Sequence, residues 1–150
     1  MNKQMIKDIE KEFDMKLVGP EDPALYTKSE LVTDEEIDNV IAVSYIFHGL
    51  MTLNGGCGLA ANQIGDTRQY FLMNKELVIN PIILKQSDKL ENGREGCLSF
   101  PNQKAWIKRP RIITVEYTDG NKERVTKTLR GDKARVFMHE YDHLQGITIV

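Results

Sequence analysis

The sequence predicts an α+β domain in which antiparallel β-sheets pack around a C-terminal helix carrying the pattern H-E-x-x-H. Three observations point there. Apolar residues recur at helical spacing in the first third of the chain and again near its end, but alternate with polar ones between. The predicted strands follow one another without the intervening helices that a parallel sheet needs. At 150 residues the chain is long enough to bury one core, so residues 1–150 are read as a single domain.

Taken in order, residues 1–14 alternate charge with isolated apolar side chains and predict a short amphipathic helix, without the apolar run of a signal peptide. GPEDPALY, residues 19–26, is rich in proline and acid and reads as an irregular lead-in. Thr33 followed by Glu36 fits a capping box. Behind it, Ile37, Val40, Ile41, Ser44, Tyr45, Phe47, His48 and Met51 recur at helical spacing, until Asn54-Gly55-Gly56 stops the helix. His48 has no partner nearby in sequence and reads as an ordinary helical histidine. RQYFLMN (68–74) and ELVINPII (76–83) predict short strands, the second broken by Pro81. SDKLENGRE (87–95) reads as a polar loop. RIITVEYTDGNKERVTKTL (111–129) predicts a hairpin around Asp119-Gly120, a type I′ turn pair. The last helix is expected from about Lys133 to Gly146.

Composition narrows the function classes. Hydrophobic residues make up 41% and charged residues 28%, as in ordinary globular domains, and the formal net charge is −2. That balance argues against a nucleic-acid or membrane partner. The one basic cluster, Lys108-Arg109-Pro110-Arg111, lacks interleaved aromatics and reads as a solvated strand entry. No stretch approaches the ~18 apolar residues of a membrane span. Two cysteines, Cys57 and Cys97, are too few for a disulfide framework, so a reducing cytoplasm is expected, with each cysteine buried or a ligand.

HEYDH, residues 139–143, places His139 and His143 one turn apart on one helix face, where both can reach a single metal ion. Glu140 points about 100° around the helix and can reach a water beside the ion without becoming a ligand. A pair of half-buried histidines is the competing reading of the pentapeptide. A catalytic metal site takes three protein ligands, and Leu144 to Val150 offer none. Metzincin proteases place a third histidine where this chain has Ile149. Other H-E-x-x-H proteases use a downstream glutamate for which no residues remain. The third ligand must therefore lie upstream, and Cys97 in REGCLSFP is the strongest candidate, since a thiolate with two imidazoles suits a borderline divalent metal. A small buried hydrophobe is the alternative for Cys97 taken alone.

GCGLAANQIG (56–65), EGCLS (95–99) and HEYDH (139–143) resemble, in the same order, the three sequence motifs of the peptide deformylase family. That family writes them G-x-G-L-A-A-x-Q, E-G-C-L-S and H-E-x-D-H. DPALY, VINP and ARVFMHE add to the likeness, which covers roughly residues 20–147. The resemblance implies a metallo-hydrolase that removes the formyl group from the N-terminal formyl-methionine of nascent chains and releases formate. It implies Cys97, His139 and His143 as metal ligands, Glu140 as the catalytic proton carrier, and Gln63 with the backbone N–H of Leu98 as oxyanion donors. It implies one divalent ion, usually ferrous iron, with zinc, nickel or cobalt able to occupy the site. Gly58 is expected to let substrate backbone approach, and Val136 to help form an apolar pocket for the methionine side chain, with packing into the general core as its alternative. Glu95 is expected to pair with Arg109, and Asp142 to accept a hydrogen bond from a local donor.

Three departures from the family pattern stand out. Asn62 replaces a common proline. Cys57 fills a position that is usually aliphatic, and is expected to act as an apolar filler. The third is that the chain stops four residues after Gly146, where bacterial members continue into a helix implicated in ribosome docking. A short, phage-like form is therefore expected, a monomer acting on N-formylmethionyl peptides in a bacterial or phage-infected cytoplasm, without that mode of ribosome docking. A metallopeptidase and a non-catalytic, metal-stabilised binding module remain the alternatives. The presence of both Glu140 and Gln63 speaks against the binding module.

Overall fold

The computed structural model describes residues 2–150, with side chains from Lys3 onward. Helix α1 (Asn2–Phe13) precedes two single 3-10 turns, Pro23–Tyr26 and Asp34–Glu36, and helix α2 (Ile37–Leu53). The Thr33 backbone N–H and hydroxyl both donate to Glu36 Oε1 at 3.0 Å, so the expected cap holds the entry to α2. Gly55, in the left-handed region at φ +77°, turns the chain away from the end of α2.

Strands β1 (Gly58–Ala60), β2 (Tyr70–Met73), β3 (Glu76–Gln86), β6 (Ile112–Thr118) and β7 (Arg124–Arg130) form an antiparallel sheet in the order β1-β2-β3-β6-β7. Between β3 and β6 the chain leaves the sheet as a separate two-stranded ribbon, β4 (Leu90–Cys97) and β5 (Phe100–Pro110). Helix α3 (Asp132–Leu144) then crosses the sheet.

The sheet is covered on both faces, and β2 shows why YFLM has no polar member. Successive side chains point to opposite faces. Tyr70 and Leu72 join Val40, Phe47 and Leu50 in a cluster under α2, while Phe71 and Met73 join Val78, Val115 and Phe137 under α3. Edge-to-face aromatic pairs lock both layers: Phe47 with Tyr70 at 5.7 Å and Phe71 with Phe137 at 5.1 Å between ring centres.

Three local expectations are corrected. Pro81 does not end its strand. β3 runs through it by a register shift between Ile79 and Ile82, and the Asn80 carboxamide meanwhile bonds both the N–H and the carbonyl of Val32. Most of the polar stretch 87–95 is strand rather than loop. The hairpin turn is not type I′. The Lys122 N–H closes it onto the Asp119 carbonyl, Lys122 takes φ +65°, and the Asp119 carboxylate accepts from the N–H groups of Asn121 and Glu123.

Candidate metal centre

Helix α3 brings His139 and His143 to one face, their ring centres 5.1 Å apart, and the β4–β5 turn brings Cys97 against them. One donor atom from each of Cys97, His139 and His143 lies within 4.8 Å of the others, and Cys97 Sγ sits 3.3 Å from His143 Nε2. An ion at ordinary Zn–S and Zn–N lengths needs tetrahedral S···N edges of about 3.6 Å. The donor set and its spacing therefore fit a divalent cation.

Glu95 orients the site from behind. Its carboxylate accepts from Arg109 Nε and Nη2 at 2.7 and 2.9 Å, from Arg135 Nη1 at 2.7 Å, and meets His139 Nδ1 at 2.9 Å. With Nδ1–H donating to a carboxylate, His139 keeps its Nε2 lone pair free for metal. Burial pushes the Glu95 carboxyl up, but the hydrogen bonds from Arg109 and His139 outweigh it and hold the group at about 2. Arg109 also donates to Asp142 Oδ2 at 2.8 Å, so the donor to Asp142 comes from β5, far away in sequence. Arg135 ties the ribbon to α3 through the carbonyls of Ile107 and Glu91.

Among the candidate ligands and Glu140, burial and neighbouring charge set the direction of each shift. With no ion bound, burial would lower His139, but the negative charges of Glu140 and Cys97 and the bond to Glu95 hold it up at about 10, and a cation on Nε2 would displace that proton. His143 is pushed down to about 3 by burial and by the charge on His139. Burial pushes Glu140 up to about 7, and a cation among the three ligands would pull it back down.

Two of the candidate ligands, Cys97 and His139, open onto a cavity of about 570 Å³ whose wall also includes Gly58, Gln63, Leu98, Val136 and Glu140. Glu140 is 4% exposed, and its Oε1 has no hydrogen-bond partner among the described residues. A Cβ on Gly58 would stand 2.5 Å from Glu140 Oε2 and 3.1 Å from Val136 Cγ1, so only glycine leaves this wall open. Gln63 is fixed at both ends. Its Oε1 accepts from the Ala60 N–H at 3.0 Å, and its Nε2 donates to Ser99 Oγ at 3.1 Å and Cys97 Sγ at 3.4 Å.

Cys57, Gly58, Gln63, Glu95, Cys97, Leu98, His139 and Glu140 of the three motifs thus share one cavity wall, with His143 behind it in the donor cluster. Cys57 departs from expectation: its thiol is exposed at the cavity rim rather than filling apolar space. His48 lies on α2 outside this cavity. Arg135 and Ser99 were not singled out beforehand. Arg135 stands four residues before His139, one turn along the same face, which was the available signal. Asn62, in place of proline, donates its amide to the His143 carbonyl at 2.6 Å and so ties the first motif to the last.

The sequence profile of the family described as polypeptide deformylase matches residues 15–150. The peptide deformylase of Treponema pallidum is 38% identical over 138 residues, covering 89% of this chain and 83% of that one. Peptide deformylase 1B of Arabidopsis thaliana is 36% identical over 93% of this chain, which spans 54% of that longer protein. The crystal structure of the Thermotoga maritima peptide deformylase superposes with a TM-score of 0.82 at 37% identity, over 90% of this chain and 94% of that one.

Proposed function

The chain belongs to the polypeptide deformylase family, and from that premise we propose how its residues divide the work. It is a metal-dependent hydrolase that removes the N-formyl group from the N-terminal methionine of nascent polypeptides. In our reading Cys97, His139 and His143 hold the ion, which their clustered donor atoms and the Glu95 bond to His139 support. We assign ferrous iron as the ion used in the cell, with zinc, nickel or cobalt able to stand in, because a thiolate with two imidazoles accepts each of them. A cation held there supplies Lewis acidity, which makes hydroxide available near neutral pH.

Glu140 moves the proton. Its buried, unpartnered Oε1 faces no competing donor, so it can take the proton of the attacking water and give it to the departing amine. Gln63 and the Leu98 N–H meet the negative charge that grows on the formyl oxygen, and one such donor is worth about 3 kcal/mol. The Gln63 Nε2 facing Cys97 is the available end, because its Oε1 is tied to Ala60. Val136 walls the methionine pocket, and Gly58 lets the substrate backbone approach beside it. We assign the whole of residues 1–150 to one catalytic domain, monomeric and cytoplasmic, where nascent chains are made and the free thiols of Cys57 and Cys97 stay reduced. No helix among the described residues is long and apolar enough to cross a membrane.

The observation that carries this reading is the cluster of three donors, with Cys97, His139 and buried Glu140 on the wall of one cavity. Metal analysis of Cys97→Ala and His143→Ala tests the ligand assignment. Both variants should lose the bound ion and formate release together. Full metal content in either variant would remove that residue from the ligand set.

A further inference from the structure

The outer face of the β4–β5 ribbon takes no part in the proposed deformylation. In its register Arg94 stands opposite Trp106, Asn92 opposite Lys108 and Gly96 opposite Lys104, and directly opposed residues share a face. The inner face carries the buried pair Glu95 and Arg109. On the outer face Arg94, Lys104 and Lys108 are exposed around Trp106, which is 68% exposed and is the only tryptophan in the chain. Among the described residues none of these three cations makes an ion pair, whereas Arg109 on the inner face makes two. No carboxylate occupies that face of the ribbon.

The overall charge of −2 hides this patch, and so does the linear order, because pairing brings Arg94 beside an indole 12 residues away. Uncompensated cations beside a bare aromatic ring suit a ligand that is both anionic and planar. An acidic polypeptide would satisfy the cations and leave the indole in water. A single-stranded nucleic acid satisfies both, with phosphates on the cations and a base stacked on the ring. We propose that this face binds single-stranded RNA, with a base on Trp106 beside Arg94, phosphates on Lys104 and Lys108, and the Asn92 carboxamide placed to meet a 2′-hydroxyl. Arg94 and Lys104 also line the mouth of the substrate cavity, so bound RNA would lie next to the path by which a peptide enters.

Trp106 emission reports on the site directly. The metal-loaded full chain is titrated with a short oligouridylate at low salt, with oligodeoxythymidylate and polyglutamate in parallel. RNA should quench the emission, with a salt slope of about −1.4 for two contacted phosphates. Lys108→Ala should reduce that slope by about 0.7. Trp106→Ala, followed by anisotropy of labelled RNA, should weaken binding at least about fivefold. Neither residue lines the cavity, so both variants should release formate from a short formyl-methionyl peptide at the wild-type rate. Unquenched emission would overturn the proposal. So would equal binding of polyglutamate, which would mark a surface for acidic polypeptides. Equal binding of the deoxy-oligomer would overturn the choice of RNA, and quenching that follows protein concentration alone would mark self-association.

Discussion

At Gly58 a single absent methyl group leaves room for Glu140, the proposed proton carrier. An alanine there would press on Glu140 Oε2 at 2.5 Å and on Val136. Gly58→Ala should therefore lower kcat by about 10²-fold or more, the usual worth of a positioned proton carrier, while leaving the metal content intact. Kinetics paired with metal analysis check this, and a change confined to KM would count against it. Glu95 acts one bond further out, through His139 Nδ1. Glu95→Gln should weaken metal affinity by about 10- to 100-fold, measured by chelator competition. The residues of the three motifs were legible in the sequence because metal chemistry restricts donors to a few residue types at fixed spacing. The partners that orient them were less so. Arg109 was expected at Glu95, but Arg135 reaches the same carboxylate from another element, and nothing in a linear sequence reports that meeting.

Among the elements, the ribbon is what the sequence hides best. LENGREG has no apolar alternation, because what β4 buries on its inner face is Glu95, held by ions rather than by a hydrophobic core. The helices and the central strands were legible because apolar packing fixes their period. The hairpin around Asp119 was legible too, but its turn type was not, since the Asp119 carboxylate competes for backbone N–H groups. Helix α3 carries both the proposed metal face and a packing face, so the two properties should be coupled. Phe137 is fully buried against Phe71, and Phe137→Ala should cost about 3–5 kcal/mol of stability. Denaturant unfolding of the metal-loaded protein checks this, and a loss below about 1 kcal/mol would show that α3 does not depend on this contact.

For the molecule as a whole, acid sensitivity follows from a junction remote from the metal. Asp66 accepts from Arg68 through its backbone N–H, Nε and Nη2, and from the Tyr70 hydroxyl, while Arg68 reaches Asn39 on α2. Burial raises the Asp66 carboxyl, but the Arg68 and Tyr70 bonds outweigh it and hold it below the ordinary range. A depressed carboxyl stabilises the fold above its unfolded pKa and loses that contribution as pH falls through the folded value. Thermal melts should therefore drop below about pH 4, and Asp66→Asn should flatten that drop while lowering Tm at neutral pH. An unchanged acid limb in the variant would place the sensitivity elsewhere. Formate release from a short formyl-methionyl peptide by the chain loaded anaerobically with ferrous iron, beside Glu140→Ala loaded in the same way, tests the proposed chemistry first. The native chain should turn over, and the variant should keep one ion yet lose at least about 10²-fold in rate. Equal turnover by the variant would contradict that chemistry.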